Sequence, residues 1–189
     1  MTELRLLKVG AIVLLVTAVS AILLVASGQF DPKPVGNLVW QEKLSIMTIP
    51  AQTKQIEWLE QPVPNEPFSV RLTAVYQQGA TDSGYGLILG DESQNVLIAV
   101  SPLGYATIQQ NGETILPWQS WPHVRTENTP NEIWLDWIDN QLSIRLNREL
   151  LWVGDVENPG GILGLYGESY GETAVIDFES IELYKNENN

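Results

Sequence analysis

Five of the seven tryptophans fall in the middle of this 189-residue chain, at Trp118, Trp121, Trp134, Trp137 and Trp152. Aromatic rings offer flat apolar faces on which sugar rings stack, while neighbouring polar side chains bind the hydroxyls. In a strand over 132–138, Trp134 and Asp136 would share the face opposite the apolar residues. We therefore predict a carbohydrate-binding patch of Trp134 and Asp136, joined by Trp118 or Trp121 from the preceding loop. In the alternative, these tryptophans only fill a core or hold the loop 117–131 in place.

Three oxygen-rich loops are weaker candidates for a calcium site. They begin at Asp82, Asp91 and Asp155. Hard cations such as Ca²⁺ take several oxygen ligands from carboxylates and loop carbonyls. None of the three loops has a recognisable ligand spacing, so solvated acidic loops are the simpler interpretation. Calcium is the one cofactor considered, and no other is expected.

Catalysis has little support in the residues. Asp177, Glu179 and Glu182 superficially resemble the paired carboxylates of a retaining glycosidase, but apolar neighbours make this segment an edge strand with core contacts. The single histidine, His123, follows a proline in a loop. No serine lies in a nucleophile-elbow context, and we assign no catalytic residue.

The elements that must position these residues are strands. Short segments rich in Val, Ile, Leu and aromatic residues alternate with turn signals, as is typical of an antiparallel sandwich. The turn residues include Asn111-Gly112, Asp139-Asn140 and Asn147-Arg148. We predict an all-β, two-sheet antiparallel jelly-roll sandwich with strands at 38–47, 55–60, 68–76, 85–90, 96–100, 105–110, 132–138, 142–146, 149–153, 162–166 and 174–184.

The order of these segments resembles the concanavalin A-like lectin/glucanase jelly roll, and more narrowly the laminin-G-like and 3-keto-disaccharide hydrolase-like domains of bacterial surface proteins. The resemblance covers about residues 65–185. It is carried by Tyr85-Gly86-Leu87, Ser101 to Tyr105, Asn131, Leu146-Asn147-Arg148, Gly161 to Leu165 and Asp177-Phe178-Glu179. The resemblance implies the fold and gives almost no information about function. Arg148 stands where the pattern has a glycine.

An apolar run of 18 residues, Val9 to Ala26, precedes the strands. A helix of this length spans about 27 Å, close to the ~30 Å hydrocarbon core of a bilayer. Arg5 and Lys8 before the run favour a cytoplasmic N-terminus. We predict a cytoplasmic segment at 1–8, a transmembrane anchor at 9–27, a linker at 28–36, a β-sandwich domain at 37–185 and a polar tail at 186–189. A cleaved signal peptide is the alternative.

The negative charge of the region after the apolar run limits the kinds of partner that it can bind. Residues 31–189 carry 8 Lys and Arg against 22 Asp and Glu, a net charge of −14, which would repel nucleic acid. The absence of cysteine excludes disulfide scaffolds and thiol chemistry. We predict a single-pass membrane protein whose extracytoplasmic domain is a non-catalytic binding module, with carbohydrate as the ligand class. The alternatives are an accessory subunit of a membrane or envelope complex and, more weakly, a glycoside hydrolase.

Overall fold

A computed structural model of the protein describes residues 2–28 and 31–186. The chain divides into two compact units, Met1–Lys33 and Pro34–Asn189. Residues 29 and 30 of the predicted linker and residues 187–189 of the predicted tail lie outside the described residues, as does the side chain of Arg5.

The first unit contains the helix α1, Thr2–Ala26. Its segment Lys8–Ala26, 19 residues long, is apolar enough to cross a membrane, and none of it is buried against protein. The Thr17 hydroxyl donates to the Val13 carbonyl at 2.9 Å, which satisfies this polar group within the helix as the sequence predicts. Gly28, with φ of +69°, follows the helix end and adopts the left-handed conformation typical of a C-terminal cap.

The second unit is built of strands. Within the described residues these are β1 Asn37–Lys43, β2 Ile46–Ile49, β3 Thr53–Pro62, β4 Phe68–Gln78, β5 Gly84–Gly90, β6 Asn95–Ser101, β7 Tyr105–Gln110, β8 Glu113–Ser120, β9 Asn131–Ile138, β10 Gln141–Leu146, β11 Glu149–Asp155, β12 Ile162–Ser169 and β13 Ala174–Lys185.

The strands form two antiparallel sheets. Sheet A has the order β1-β13-β4-β9-β10-β11, with β2 also paired to β13, and sheet B has the order β3-β12-β5-β6-β7-β8. Each sheet turns alternate apolar side chains toward the other. Phe68, Val70 and Leu72 of β4 and Leu87 and Leu89 of β5 are all fully buried in this core. The predicted two-sheet sandwich is therefore confirmed.

The predicted strand at 38–47 is two strands. β1 and β2 both pair with β13, on either side of a break at Leu44 and Ser45. The register of β13 shifts on its other side between Phe178 and Ser180, so a bulge lies level with the break. The bulged backbone turns the partner strand, and one continuous ladder cannot form.

No strand is predicted over 113–120, where the structure has β8, and Pro117 lies within this strand. Proline lacks the N–H that a central strand needs and is tolerated at a sheet edge, and β8 is the edge of sheet B. On β7, Ala106 pairs with Gln119 but Ile108 pairs with Leu116, so one residue opposes two. This bulge lets Leu116 face the core while Trp118 faces outward.

The predicted hairpin turns are confirmed. Both central residues have positive φ at Asn111-Gly112, Asp139-Asn140 and Asn147-Arg148. Such a pair gives the backbone twist that a two-residue hairpin needs. Arg148, at φ of +74°, adopts the conformation that favours glycine although it carries a side chain.

Candidate functional site

Trp134 and Asp136 lie together on the outer face of sheet A, but they are buried. The Asp136 carboxylate oxygen Oδ1 accepts hydrogen bonds from the Trp134 indole at 2.7 Å and from the Ser69 hydroxyl at 2.5 Å. The Ser143 hydroxyl lies 3.4 Å from the other oxygen. Trp134 and Ser69 are fully buried. The structure thus brings Trp134 and Asp136 together and buries both side chains.

Two neighbours cover this network. The Arg71 guanidinium carbon lies 3.8 Å from the centroid of the Trp134 ring, a cation–π contact that shields its outer face. The backbone amide of Val35 donates to the Ser69 hydroxyl at 2.7 Å, which ties the chain ahead of β1 to sheet A. The buried carboxylate therefore stabilises the fold here.

Trp118 and Trp121 lie elsewhere. Trp118 is on the outer face of sheet B, opposite to the face of sheet A that carries Trp134. Trp121 follows β8, packs against the main core and lies 5.5 Å from the ring of His123. The structure therefore does not bring the four residues of the predicted patch together. The period of a strand gives the face of one residue, but it cannot give which sheet a distant segment joins.

A second apolar cluster covers the outer face of sheet B. Its buried members come from three strands and are Ile88, Leu97, Ala99 and Tyr166, and Trp58 and Trp118 pack against them from the two flanks. Trp118 reaches across β7 and β6, since a Cβ added at Gly84 would lie 3.1 Å from its Cζ2. Aromatic and aliphatic side chains thus cover the outer face of sheet B.

At one end of this face lies an open cavity of about 220 Å³. Three aromatic side chains line it together with short polar residues and one leucine; the full lining is Asp82, Ser83, Ser101, Leu103, Tyr105, Trp118 and Tyr170. Tyr105 and Tyr170 are exposed. We call this cavity the aromatic cleft. A neighbouring cavity of about 210 Å³ also has Tyr170 in its wall, with Gln52, Thr53, Lys54, Glu168 and Ser169; we call it the Lys54 cavity.

A buried carboxylate lies under Tyr170. Glu168 is 2% exposed, and its Oε2 accepts a hydrogen bond from the Tyr170 hydroxyl at 2.8 Å. The Lys54 ammonium lies 3.5 Å from the same oxygen. Burial, the hydrogen bond to Glu168 and the charges of Glu168 and Asp82 raise the pKa of Tyr170 to about 12. Burial raises the pKa of Tyr166 as well, and the nearby carboxylate of Glu168 adds to this increase. Both phenols keep their protons at neutral pH.

The aromatic cleft also has a hydroxyl without a partner. Ser83 is fully buried, and its Oγ makes no hydrogen bond to the described protein atoms. The Ser101 hydroxyl beside it is already engaged, donating to the Thr81 carbonyl and accepting from the Leu103 amide. A buried polar group is normally paired, so the Ser83 hydroxyl is available to a polar group entering the cleft.

The three calcium candidates do not share a site. Asp91 accepts three hydrogen bonds within its own turn, from the Ser93 amide and hydroxyl and from the Gln94 amide, which lower its pKa. Asp155 ends β11, and Asp82 lines the aromatic cleft. Across residues 2–28 and 31–186, no three His, Asp or Glu side chains are grouped as metal ligands. A single loop that uses backbone carbonyls for calcium stays a prediction.

The carboxylates weighed for hydrolysis lie on the other sheet. Asp177, Glu179 and Glu182 belong to β13 in sheet A. β13 pairs with β1 and β2 on one side and with β4 on the other, so the prediction of an edge strand is wrong. Glu182 accepts a hydrogen bond from the Tyr184 hydroxyl at 2.6 Å. None of the three lines the aromatic cleft.

Two asparagines of the resemblance pattern have structural roles. Asn131 accepts from the Arg125 amide and donates to the Tyr85 hydroxyl. Asn147 donates to the His123 carbonyl and accepts from the Glu132 amide. Together they fasten the segment between β8 and β9 to one end of the sandwich. These contacts give both asparagines a structural role, which accounts for their place in the fold pattern.

The two antiparallel sheets define the fold, a β-sandwich consistent with the concanavalin A-like jelly roll. Among solved structures, the chain is similar to a carbohydrate-binding module, CBM66 of Bacillus subtilis, with a TM-score of 0.55 and 13% identity over 78% of this chain and 98% of that one. It is also similar to the Aspergillus kawachii β-fructofuranosidase, with a TM-score of 0.54 and 9% identity over 77% of this chain and 27% of that one. A fructosyltransferase of A. japonicus matches with a TM-score of 0.50 and 9% identity, over 76% of this chain and 26% of that one.

These likenesses show the fold alone. The chain matches nearly the whole length of the binding module and about a quarter of each of the two enzymes. No protein family matches the sequence, and no curated protein matches it.

Proposed function

We propose that this protein is a non-catalytic carbohydrate-binding module and that the aromatic cleft is its binding site. The observation that carries the proposal is the convergence of Trp118, Tyr105 and Tyr170 around the buried, unpartnered hydroxyl of Ser83. Rings bind the apolar faces of a sugar, and the hydroxyl binds one of its polar groups. The similarity to a structure that is itself a carbohydrate-binding module supports this choice.

The polar side chains of the cleft suit a neutral sugar. The carboxylate of Asp82 in the cleft, and that of Glu168 in the neighbouring Lys54 cavity, would accept hydrogen bonds from sugar hydroxyls and repel a carboxylated ligand. The net charge of −13 adds to that repulsion. Two of the similar solved structures are named for enzymes of fructose-containing sugars, so fructans belong among the ligands tested first.

We further propose that α1 anchors the protein in a membrane as a single span with the sandwich on the extracytoplasmic side. Its 19-residue apolar segment is long enough to cross the bilayer. Arg5 precedes that segment and Lys8 begins it, and the sequence after residue 30 is acidic. Protease treatment of intact cells should remove the sandwich, and an intact sandwich after such treatment would contradict this orientation.

The binding test uses the full chain in detergent micelles with fructan, β-glucan, xylan and galactan. We expect at least one polysaccharide to bind, with a change in tryptophan fluorescence. Trp118→Ala should weaken that binding about tenfold or more, as loss of a central aromatic contact does. Trp152→Ala, on sheet A, is the matched control. Equal weakening by both variants, or no binding at all, would contradict the proposal. Release of reducing sugar would instead support the hydrolase alternative.

A second candidate function, an accessory subunit of an envelope complex, is favoured by one observation. The strand β11 ends the order of sheet A and exposes two apolar side chains, Leu150 and Val153. Exposed apolar strands at a sheet edge are surfaces that partners pair with. Leu150→Lys with Val153→Lys should abolish co-purification of a partner in detergent and leave sugar binding unchanged. Unchanged co-purification would contradict this role.

A further inference from the structure

Tyr170 stands between two cavities of nearly equal size. It lines both the aromatic cleft of about 220 Å³ and the Lys54 cavity of about 210 Å³. Each has room for about seven water molecules at roughly 30 Å³ apiece, which is the scale of one sugar ring. We propose that the two cavities are successive subsites, so that the protein recognises two adjoining sugar units across the Tyr170 ring. This inference rests on the proposed function.

Glu168 connects the two subsites. Its Oε2 faces Tyr170 and Lys54. Its Oε1 and the Trp118 Cζ2 both lie near Gly84, since a Cβ added there would be 2.9 Å and 3.1 Å from them. Glu168 therefore lines the Lys54 cavity and holds the hydroxyl of Tyr170, the residue that the two cavities share. Its carboxylate can accept hydrogen bonds from sugar hydroxyls in the Lys54 cavity.

The two subsites differ in chemistry. The aromatic cleft offers ring faces and the Ser83 hydroxyl, so it binds its sugar unit by stacking and one buried hydrogen bond. The Lys54 cavity offers the Gln52 amide and the Lys54 ammonium, so it binds its unit through polar groups at the rim. Lys54 is 65% exposed at its side chain, whereas Glu168 is 3% exposed. Because the replacement of Lys54 leaves the buried carboxylate with one partner fewer, its effect on binding is interpreted together with the thermal midpoint of the variant.

The test measures affinity by calorimetry for mono-, di- and trisaccharides of the fructan and β-glucan series. The full chain in micelles is used. We expect the disaccharide to bind about tenfold more tightly than the monosaccharide, and the trisaccharide to add less than twofold. Lys54→Ala should weaken disaccharide binding several-fold and leave monosaccharide binding unchanged, while Trp118→Ala should weaken both. The thermal midpoint of each variant serves as the folding control.

Two failures are distinguishable. If the disaccharide binds no more tightly than the monosaccharide, or if Lys54→Ala weakens both equally, the two-subsite inference is overturned and the binding function stands. The inference is likewise overturned if affinity keeps rising through the trisaccharide, because the site is then longer. If neither series binds and Trp118→Ala has no effect on any polysaccharide, the proposed function itself is overturned. Gly84→Ala, whose methyl would crowd Glu168 and Trp118, should weaken every sugar that binds.

Discussion

Replacing Asp136 with alanine separates a structural carboxylate from a ligand-binding one. Its Oδ1 accepts two close hydrogen bonds, from Ser69 at 2.5 Å and from the Trp134 indole at 2.7 Å. Hydrogen bonds to a buried charged group contribute about 1.5–3 kcal/mol each. Removing both gives about 3–6 kcal/mol, and water entering the space left behind would recover part of it. We expect Asp136→Ala to lower the free energy of unfolding by about 3 kcal/mol.

The assay is urea unfolding followed by tryptophan fluorescence, with the full chain in micelles. For a domain of this size, about 3 kcal/mol corresponds to a fall of roughly 6–12 °C in the thermal midpoint. Asp136→Asn keeps an acceptor oxygen and should lose about 1 kcal/mol. Glu157→Ala, at an exposed loop position, is the control. A loss below about 1 kcal/mol for Asp136→Ala, with sugar binding abolished, would refute the argument and restore Asp136 as a ligand-facing residue.

Three further predictions test the fold. Gly86→Ala should prevent folding, since its Cβ would lie 2.0 Å from the Ile98 carbonyl oxygen, whereas Gly112→Asn should fold because nothing lies within 4 Å; soluble yield and circular dichroism check both. Asn147→Gly keeps the left-handed turn but loses the side-chain hydrogen bonds, and should cost about 2 kcal/mol in urea unfolding; unchanged stability would show that the turn alone matters. Because the folded-state pKa of Tyr170 is raised to about 12, its stabilising effect is complete below pH 10 and is lost between pH 10 and 12. Tyr170→Phe should flatten this decline, and identical slopes would contradict it.

The fold was predictable because its signals are local. Alternating apolar residues and paired turn residues with positive φ mark strands and hairpins without knowledge of their partners. The errors arose where a partner decides the outcome. Pro117 argues against a strand unless that strand is an edge, and the break after β1 depends on a bulge in β13.

The site was less predictable because it assembles from four separate segments. Trp118 was predicted as a ligand-binding residue from its residue type, and in the structure it lines the aromatic cleft. Tyr105 ends the turn that carries the fold resemblance, and Tyr170 directly follows the end of β12, but neither sequence context indicates a ligand. Ser83 could not be found, since an unpaired buried hydroxyl is visible only after packing.

Trp134 shows the converse limit. Strand alternation correctly placed it beside Asp136 and away from the core between the sheets. A side chain on the outer face of a sheet is not always exposed to solvent, however. Here Arg71 and the segment at Val35 cover the outer face of sheet A around Trp134. Burial on the outer face of a sheet depends on chain segments that alternation does not describe.

The chain enters the sandwich along sheet A, where Val35 is bonded to Ser69 and β1 joins β13, whereas the aromatic cleft opens on sheet B. If the cell surface pulls on sheet A and a bound polysaccharide pulls on sheet B, the mechanical load passes from one sheet to the other. The backbone hydrogen bonds between strands lie within each sheet and do not join one sheet to the other. The packed side chains between the sheets would therefore resist the force of flow or drag. Rupture force would then track core packing more closely than strand pairing.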